Sequence, residues 1–303
     1  MRPPRSSVPA TPRPRPRSRR AAGCGIAAAT AFVLVLATVV GAVVWLRKNE
    51  FISPTPFESR CRFVAANNST VLDLGQAHYA GIIVGRAVNR GLPARAGSIA
   101  MATAYQESGV RNLDYGDRDS LGLFQQRPSQ GWGTAAQIRD PYYSTDAFYD
   151  ALVKVDGWET GDINTVAQAV QRSGHPEAYR KHEPNARVVA SVLAGHSPGG
   201  VTCGYTTPAA ADAHGMATSL RQSLGVKAQV SADGTKLTAT GASVEQAWAI
   251  GHHAVVNAGE TGVSSIRVAD RSWTWKPRIL PDWTTVTSAG GDSRTVTITF
   301  RAS

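Results

Sequence analysis

The sequence predicts an α+β protein. A mainly helical block covers about 73–195, a smaller mixed unit follows at 209–303, and one uncharged apolar stretch precedes both. Three observations carry this prediction. Capped segments with apolar residues at helical spacing run from Asp73 to Ala194. The pair Asp233-Gly234 separates two strand-like runs. Ala21 to Leu46 are 26 consecutive residues without a charge.

Residues 1–22 are rich in arginine and proline and poor in apolar side chains, so they are expected to be disordered. Residues 23–46 read as a transmembrane helix, since about 20 apolar residues suffice to cross the hydrocarbon core. A cleaved signal has a shorter apolar region and a small-residue exit. This run ends in Val44-Trp45-Leu46-Arg47-Lys48, which favours an uncleaved anchor. Seven arginines precede the span and only Arg47-Lys48 follow it, which predicts a single-pass protein with a cytoplasmic N-terminus. Membrane lipid is then a partner through 23–46, and the remaining chain is extracytoplasmic.

The formal charge of +10 belongs to the tail. Residues 1–49 hold nine basic groups and no acid, leaving 23 basic against 22 acidic side chains in 50–303. A nearly neutral globular part excludes a general nucleic-acid footprint. Cys61 and Cys203 lie in the outward-facing part, where thiols oxidise. They bracket the helical block, so either a disulfide closes its two ends or both are unpaired buried thiols. No Cys-x-x-Cys and no metal-ligand histidine spacing occur, so neither metal nor cofactor is expected. His252-His253 is expected at the surface or partly packed in a helix.

Residues 47–60, with Pro54 and Pro56, read as a stalk. Asp73-x-x-Gln76 resembles a capping box opening a helix to about Arg90, with Gly91 as its stop. Pro93 suits the first turn of a second helix, roughly Ala94 to Ser108. Asn112 to Trp132, rich in Gly, Asp, Asn and Ser, is expected to be loop with short extended pieces. Ser144 is expected to cap the next helix, and further helices are expected in Ile163–Ser173, Pro176–His182 and Asn185–Ala194. The composition of 196–208 marks a linker. In the 209–303 unit a helix should end near Gly225. Lys227–Ser231 and Thr235–Thr240 flank the Asp233-Gly234 hairpin signal. Ser243-x-x-Gln246 opens another helix, and strands are expected at Ser265–Val268, Ser272–Trp275 and Thr295–Phe300. Trp273 and Trp275 would share a sheet face and are expected to pack rather than stack on a ligand.

The most informative residues are Gln106-Glu107-Ser108-Gly109 and, soon after, Ser120-Leu121-Gly122-Leu123-Phe124-Gln125-Gln126-Arg127-Pro128. Glu107 falls at a helix C-terminus, where the negative end of the peptide dipoles favours its neutral form. A carboxylic acid that holds its proton is what a general acid requires. Alone, a glutamate at a helix end is more often a solvated terminus. A glycine-permitted polar segment that can fold back over it changes that balance.

Glu107-Ser108, Ser120-x-Gly122-Leu123-x-Gln125 with Pro128, Ala167-Gln168-Ala169 and Tyr179 together resemble the lysozyme-like lytic transglycosylases of bacterial peptidoglycan. The resemblance covers about 73–195. It implies a lysozyme-like catalytic domain, 61–203, that cleaves the MurNAc-GlcNAc bond of peptidoglycan glycan strands. Glu107 would match the single catalytic acid, which leaves 1,6-anhydro ends. Ser120 would match a residue bonding that acid or the substrate, Gln125, with Gln126 beside it, cleft residues, and Tyr179 the late tyrosine near the glutamate. Trp132 is a candidate for stacking on a sugar ring, or a packed loop anchor. Phe124 departs from the family's usual methionine, and the asparagine and glycine usual after Ala167 are absent. The 209–303 unit would be a small α+β accessory domain. Two alternatives stay open. One is a non-catalytic wall-binding or assembly protein that keeps the fold and meets cell-wall machinery through 209–303. The other is a hydrolytic muramidase, if Asp114, Asp117 or Asp119 activates water.

Overall fold

The computed structural model describes residues 35–41, 57–172, 177–287 and 292–301. Of the expected 23–46 span, residues 35–41 are described and are helical. The rest of that span, the 1–22 tail and most of the 47–60 stalk lie outside the described residues. No helix among the described residues is long and apolar enough to cross a membrane. The chain divides into two compact units, Met1–Pro56 and Phe57–Ser303.

The second unit mixes α and β structure. It opens with an antiparallel hairpin, β1 (Arg60–Ala65) and β2 (Asn68–Asp73), where only stalk and helix were expected. Its signal is period-2 burial: Cys61 and Phe63 on β1, and Thr70 and Leu72 on β2, point inward. β3 (Val201–Gly204) pairs with the other edge of β1 and sets Cys203 opposite Cys61. A disulfide joins the two. The stretch 196–208 is therefore no linker. Its Gly/Ser/Thr composition reflects tight turns on either side of a fully buried strand.

Among the described residues six helices follow the hairpin before β3. The first, α1 (Leu74–Asn89), starts at the predicted Asp73–Gln76 capping box: Asp73 Oδ1 accepts from Gln76 N–H (2.8 Å) and Gln76 Oε1 from Asp73 N–H (3.0 Å). The second, α2 (Ala94–Ser108), is buried on every side from Ala96 to Ala104, the mark of a central helix. Its small residues permit that: a Cβ on Gly97 would stand 3.3 Å from the Ala190 methyl. Ile99 and Met101, fully buried, contribute about 2 kcal/mol each.

Two more elements, α3 (Ala135–Arg139) and α4 (Pro141–Leu152), share Asp140, which caps α4 by accepting from Tyr142 and Tyr143 N–H. Ser144, the predicted cap, lies one turn inside and is buried. A carboxylate acceptor followed by proline, which has no N–H to satisfy, outcompetes a serine hydroxyl. The last two helices are α5 (Ile163–Gln171) and α6 (Glu183–Leu193). The described part of the expected Pro176–His182 helix is reduced to a 3-10 turn, Arg180–His182.

After β3, α7 (Ala213–Leu224) ends at Gly225 in the left-handed conformation (φ 69°). Next come β4 (Ala228–Val230), β5 (Lys236–Thr240), α8 (Val244–Val256) and α9 (Ala258–Thr261). The strands β6 (Val263–Val268), β7 (Arg271–Thr274), β8 (Thr284–Thr285) and β9 (Thr295–Phe300) complete a six-stranded antiparallel sheet. Its order is β4-β5-β9-β6-β7-β8. One face of α8 meets α1 and α6, the other meets β6 and β9. Both contacts need glycine: a Cβ on Gly81 of α1 would stand 3.1 Å from Val256, and one on Gly251 would stand 2.5 Å from Val268. One apolar core thus runs from Cys61 to Phe300.

Packing on both sides also buries His252 and His253, against the expectation of a surface or half-packed pair. Trp273 is buried as well, its Nε1–H donating to Thr202 Oγ1 (3.0 Å), so β7 is tied to β3. Trp275 is partly buried and stacks on Tyr205.

Candidate active site

α2 delivers Glu107 on its last turn, half-buried. The helix stops because Gly109 turns left-handed (φ 63°). Val110 N–H then reaches back to Ala104 O (2.9 Å) and Gly109 N–H to Tyr105 O (3.2 Å), closing the last carbonyls. Val110 itself is held at φ 59°, a costly conformation for a β-branched residue. Neighbouring Ser108 is buried and ties the helix end to the loop beyond it. Its Oγ donates to Leu123 O (2.7 Å) and accepts from Arg111 N–H (3.1 Å).

Residues 121–126 form the segment that folds back. Leu121 N–H bonds Gln126 O (2.9 Å) and Gly122 N–H bonds Leu113 O (2.8 Å), giving the short extended pieces expected in this loop. Gly122 has φ 77°, and a Cβ there would lie 2.7 Å from Ile138 O, so glycine is required twice over. Leu123 and Phe124 are fully buried, Phe124 stacked on Phe148 at 4.6 Å. Phe124 thus fills the core.

Tyr179 is fully buried, and its hydroxyl donates to Glu107 Oε1 (2.6 Å). Buried Asn164 on α5 holds that tyrosine in place, its Oδ1 accepting from the N–H groups of Tyr179 and Arg180 (3.1 Å each). Arg180 in turn pairs with Asp162, the cap of α5, and with Glu177. The Thr165 N–H, its hydroxyl and Arg180 hold the Asp162 carboxyl below the usual carboxylate range. His182 stacks on Tyr105 (5.6 Å, 7°) with Nε2 3.2 Å from Gln106 Oε1, and partial burial lowers its pKa. Burial pushes the Tyr105 phenol up to about 12.

Glu107 and Tyr179 are therefore brought together, and the other predicted residues stand apart from that bond. Ser120 is buried, and its Oγ makes no hydrogen bond to Glu107 among the described residues. Gln125, at φ 48°, turns back on its own loop, its Nε2 donating to Tyr115 O and Gly122 O (3.3 Å each). Gln126 is a core residue, its Nε2–H donating to Ser144 O (3.1 Å). The left-handed turn at Gln125 sends the two adjacent side chains in different directions, Gln125 onto its own loop and Gln126 into the core.

Trp132 is half-buried against the core and lines a groove of about 750 Å3 formed with Gln130, Tyr143, Lys154, Gln171 and Arg172. Gln171 Nε2–H donates to Phe124 O (2.8 Å), so this groove adjoins the segment tied to Ser108. Asp119 is occupied by Arg127 Nε (2.7 Å), Ser129 N–H (2.8 Å) and Ser129 Oγ (3.0 Å), which hold its carboxyl far below the ordinary range. Asp114 and Asp117 are exposed. Among the described residues no group of three or more His, Cys, Asp or Glu could hold a metal ion.

Sequence reasoning missed Asn164, Ser108, His182 and Gln171. Only Ser108 carried a signal, as the residue after the acid in the Glu-Ser motif. The other three become site residues through contacts between distant segments. A scan against protein-family models and a search of curated proteins return no match.

Proposed function

We propose that this chain is a membrane-anchored, extracytoplasmic lytic transglycosylase of peptidoglycan. In this reading 61–203 is a lysozyme-like catalytic region, 23–46 anchors it and 209–303 is an accessory region. The observation that carries the reading is the 2.6 Å bond between Tyr179 and Glu107, made across 72 residues. A solvated helix terminus needs no buried tyrosine aimed at it.

The chemistry rests on the two carboxyl oxygens. Oε1 accepts the Tyr179 hydroxyl, and among the described residues Oε2 has no hydrogen-bond partner. Oε2 is thus the oxygen that carries and delivers a proton. Glu107 protonates the glycosidic oxygen, the C1–O bond breaks, and the acetamido oxygen of the same sugar bonds to C1. The Glu107 carboxylate then takes the proton of the C6 hydroxyl. O6 attacks C1, the acetamido oxygen leaves, and a 1,6-anhydro ring closes with the acid regenerated. No second carboxylate is needed. The commitment of Asp119 to Arg127 and Ser129 favours this route over a muramidase that needs an acid free to activate water.

The test is product analysis. Full-length protein incubated with purified peptidoglycan should release anhydromuropeptides detectable by mass spectrometry, and Glu107→Gln should not. Equal release by Glu107→Gln would falsify the proposal. Release of reducing ends instead would favour the muramidase, and absence of any product the wall-binding alternative.

A further inference from the structure

The 750 Å3 groove beside the Glu107 site has no part in the proton transfers at Glu107. Its charges do not balance. Asp150, the acid among its lining residues, is engaged by Arg90 Nη2 at 2.5 Å. Lys154 and Arg172 are exposed, and among the described residues neither side chain has a hydrogen-bond or ion-pair partner. Arg172 also sits at the C-terminal cap of α5 with φ 51°, a position that glycine fills at no steric cost. Strain of that kind persists where the surrounding structure over-determines it, and it clusters at ligand clamps. Besides the two cations the groove offers the ring of Trp132, the amides of Gln130 and Gln171, and Tyr143. Tyr143 is packed close against Gly133, where a Cβ would stand 2.6 Å from its hydroxyl.

Two free cations beside an aromatic wall fit a ligand that is anionic at one end and apolar along its length. The geometry points to a site for a carboxylate-bearing peptide substituent of the glycan, with Lys154 and Arg172 pairing its carboxylates and Trp132 covering its apolar part. That the peptide is a glycan substituent rests on the peptidoglycan reading of Glu107; the preference for a carboxylate does not. Gln171 joins the two sites, since it lines the groove and donates to Phe124 O in the segment tied to Ser108.

The experiment is calorimetric titration of the full chain in detergent micelles with a GlcNAc-MurNAc-peptide monomer. That monomer lacks the scissile MurNAc-GlcNAc bond, so binding is read without turnover. The monomer with free carboxyls should bind at least about tenfold tighter than the same monomer with amidated carboxyls or the bare disaccharide. Lys154→Gln/Arg172→Gln should bring the three to one affinity. Arg172→Gly should weaken carboxylate binding while keeping or raising the thermal midpoint, because glycine suits φ 51°. Equal affinity of the wild-type chain for the three ligands, or an unchanged preference in the double variant, overturns the site. Product release is a separate readout: anhydromuropeptides formed equally by Glu107→Gln overturn the lytic reading and leave the carboxylate preference standing.

Discussion

Tyr179 and Gly122 show how single residues set this site. Tyr179 occupies one oxygen of Glu107 and, in the proposed reaction, leaves the other to transfer the proton. Tyr179→Phe removes a hydrogen bond to an ionisable group, worth about 1.5–3 kcal/mol. The expected outcome is a fall of about 10- to 100-fold in kcat with KM little changed, read from the rate of anhydromuropeptide release. Glu107→Gln removes the proton itself, and about 10²- to 10⁴-fold of rate should go with it. Gly122 acts on the fold rather than the chemistry. Alanine there meets both a positive φ and the Ile138 carbonyl at 2.7 Å. Urea unfolding of Gly122→Ala should show a loss of at least about 2 kcal/mol; a loss below about 0.5 would mean the segment relaxes freely.

Among the elements, α8 does more than its sequence suggests. It packs between the helices and the six-stranded sheet, and it carries two buried histidines. His252 Nδ1 faces the Val192 carbonyl at 2.6 Å, and since a carbonyl only accepts, Nδ1 bears the proton in the neutral ring. His253 Nε2 lies 2.8 Å from Ser219 Oγ of α7. Burial depresses both: His252 to about 4, and His253, with His78 adding to the effect, to about 3. The unfolded chain therefore takes up protons near pH 6.5 that the folded chain refuses. Stability from this source is complete above pH 6.5 and is lost as pH falls toward 4 and 3. Each histidine costs about 1.4 kcal/mol per pH unit in that window. His253→Gln should flatten the dependence of unfolding free energy on pH between about 6.5 and 4.5 by about that slope, measured by urea titration at several pH values. An unchanged slope would mean the His253 ring is protonated in the folded protein.

For the molecule as a whole, the disulfide and the shared core make 57–303 one cooperative body. Cys61–Cys203 spans 142 residues, and closing a loop of that length constrains the unfolded chain by about 5 kcal/mol on the chain-entropy account. Reduction should lower the thermal midpoint markedly. Because α8 contacts α1, α6, β3, β6 and β9, unfolding should remain a single transition by both near- and far-UV circular dichroism. Two separated transitions would show that 61–203 and 209–303 hold together only loosely.

A linear reading makes local chemistry legible. The Asp73 box, the end of α2 at Gly109 and the Asp233-Gly234 hairpin each depend on residues within a few positions of one another. Glu107 is legible for the same reason, as a carboxyl group at a helix end ahead of a glycine-bearing segment. The β1–β2 hairpin escapes such a reading although its alternation is present. The course of β3, the burial of His252 and His253, the inward turn of Gln126 and the part played by Asn164 are not written locally at all. Each depends on contacts between segments tens of residues apart, and such contacts are selected by how the whole core closes rather than by any short motif. The Glu107–Tyr179 bond belongs to both classes: its two residues are nameable in advance, and their 2.6 Å meeting exists only because the 180–182 turn packs against both α2 and α6.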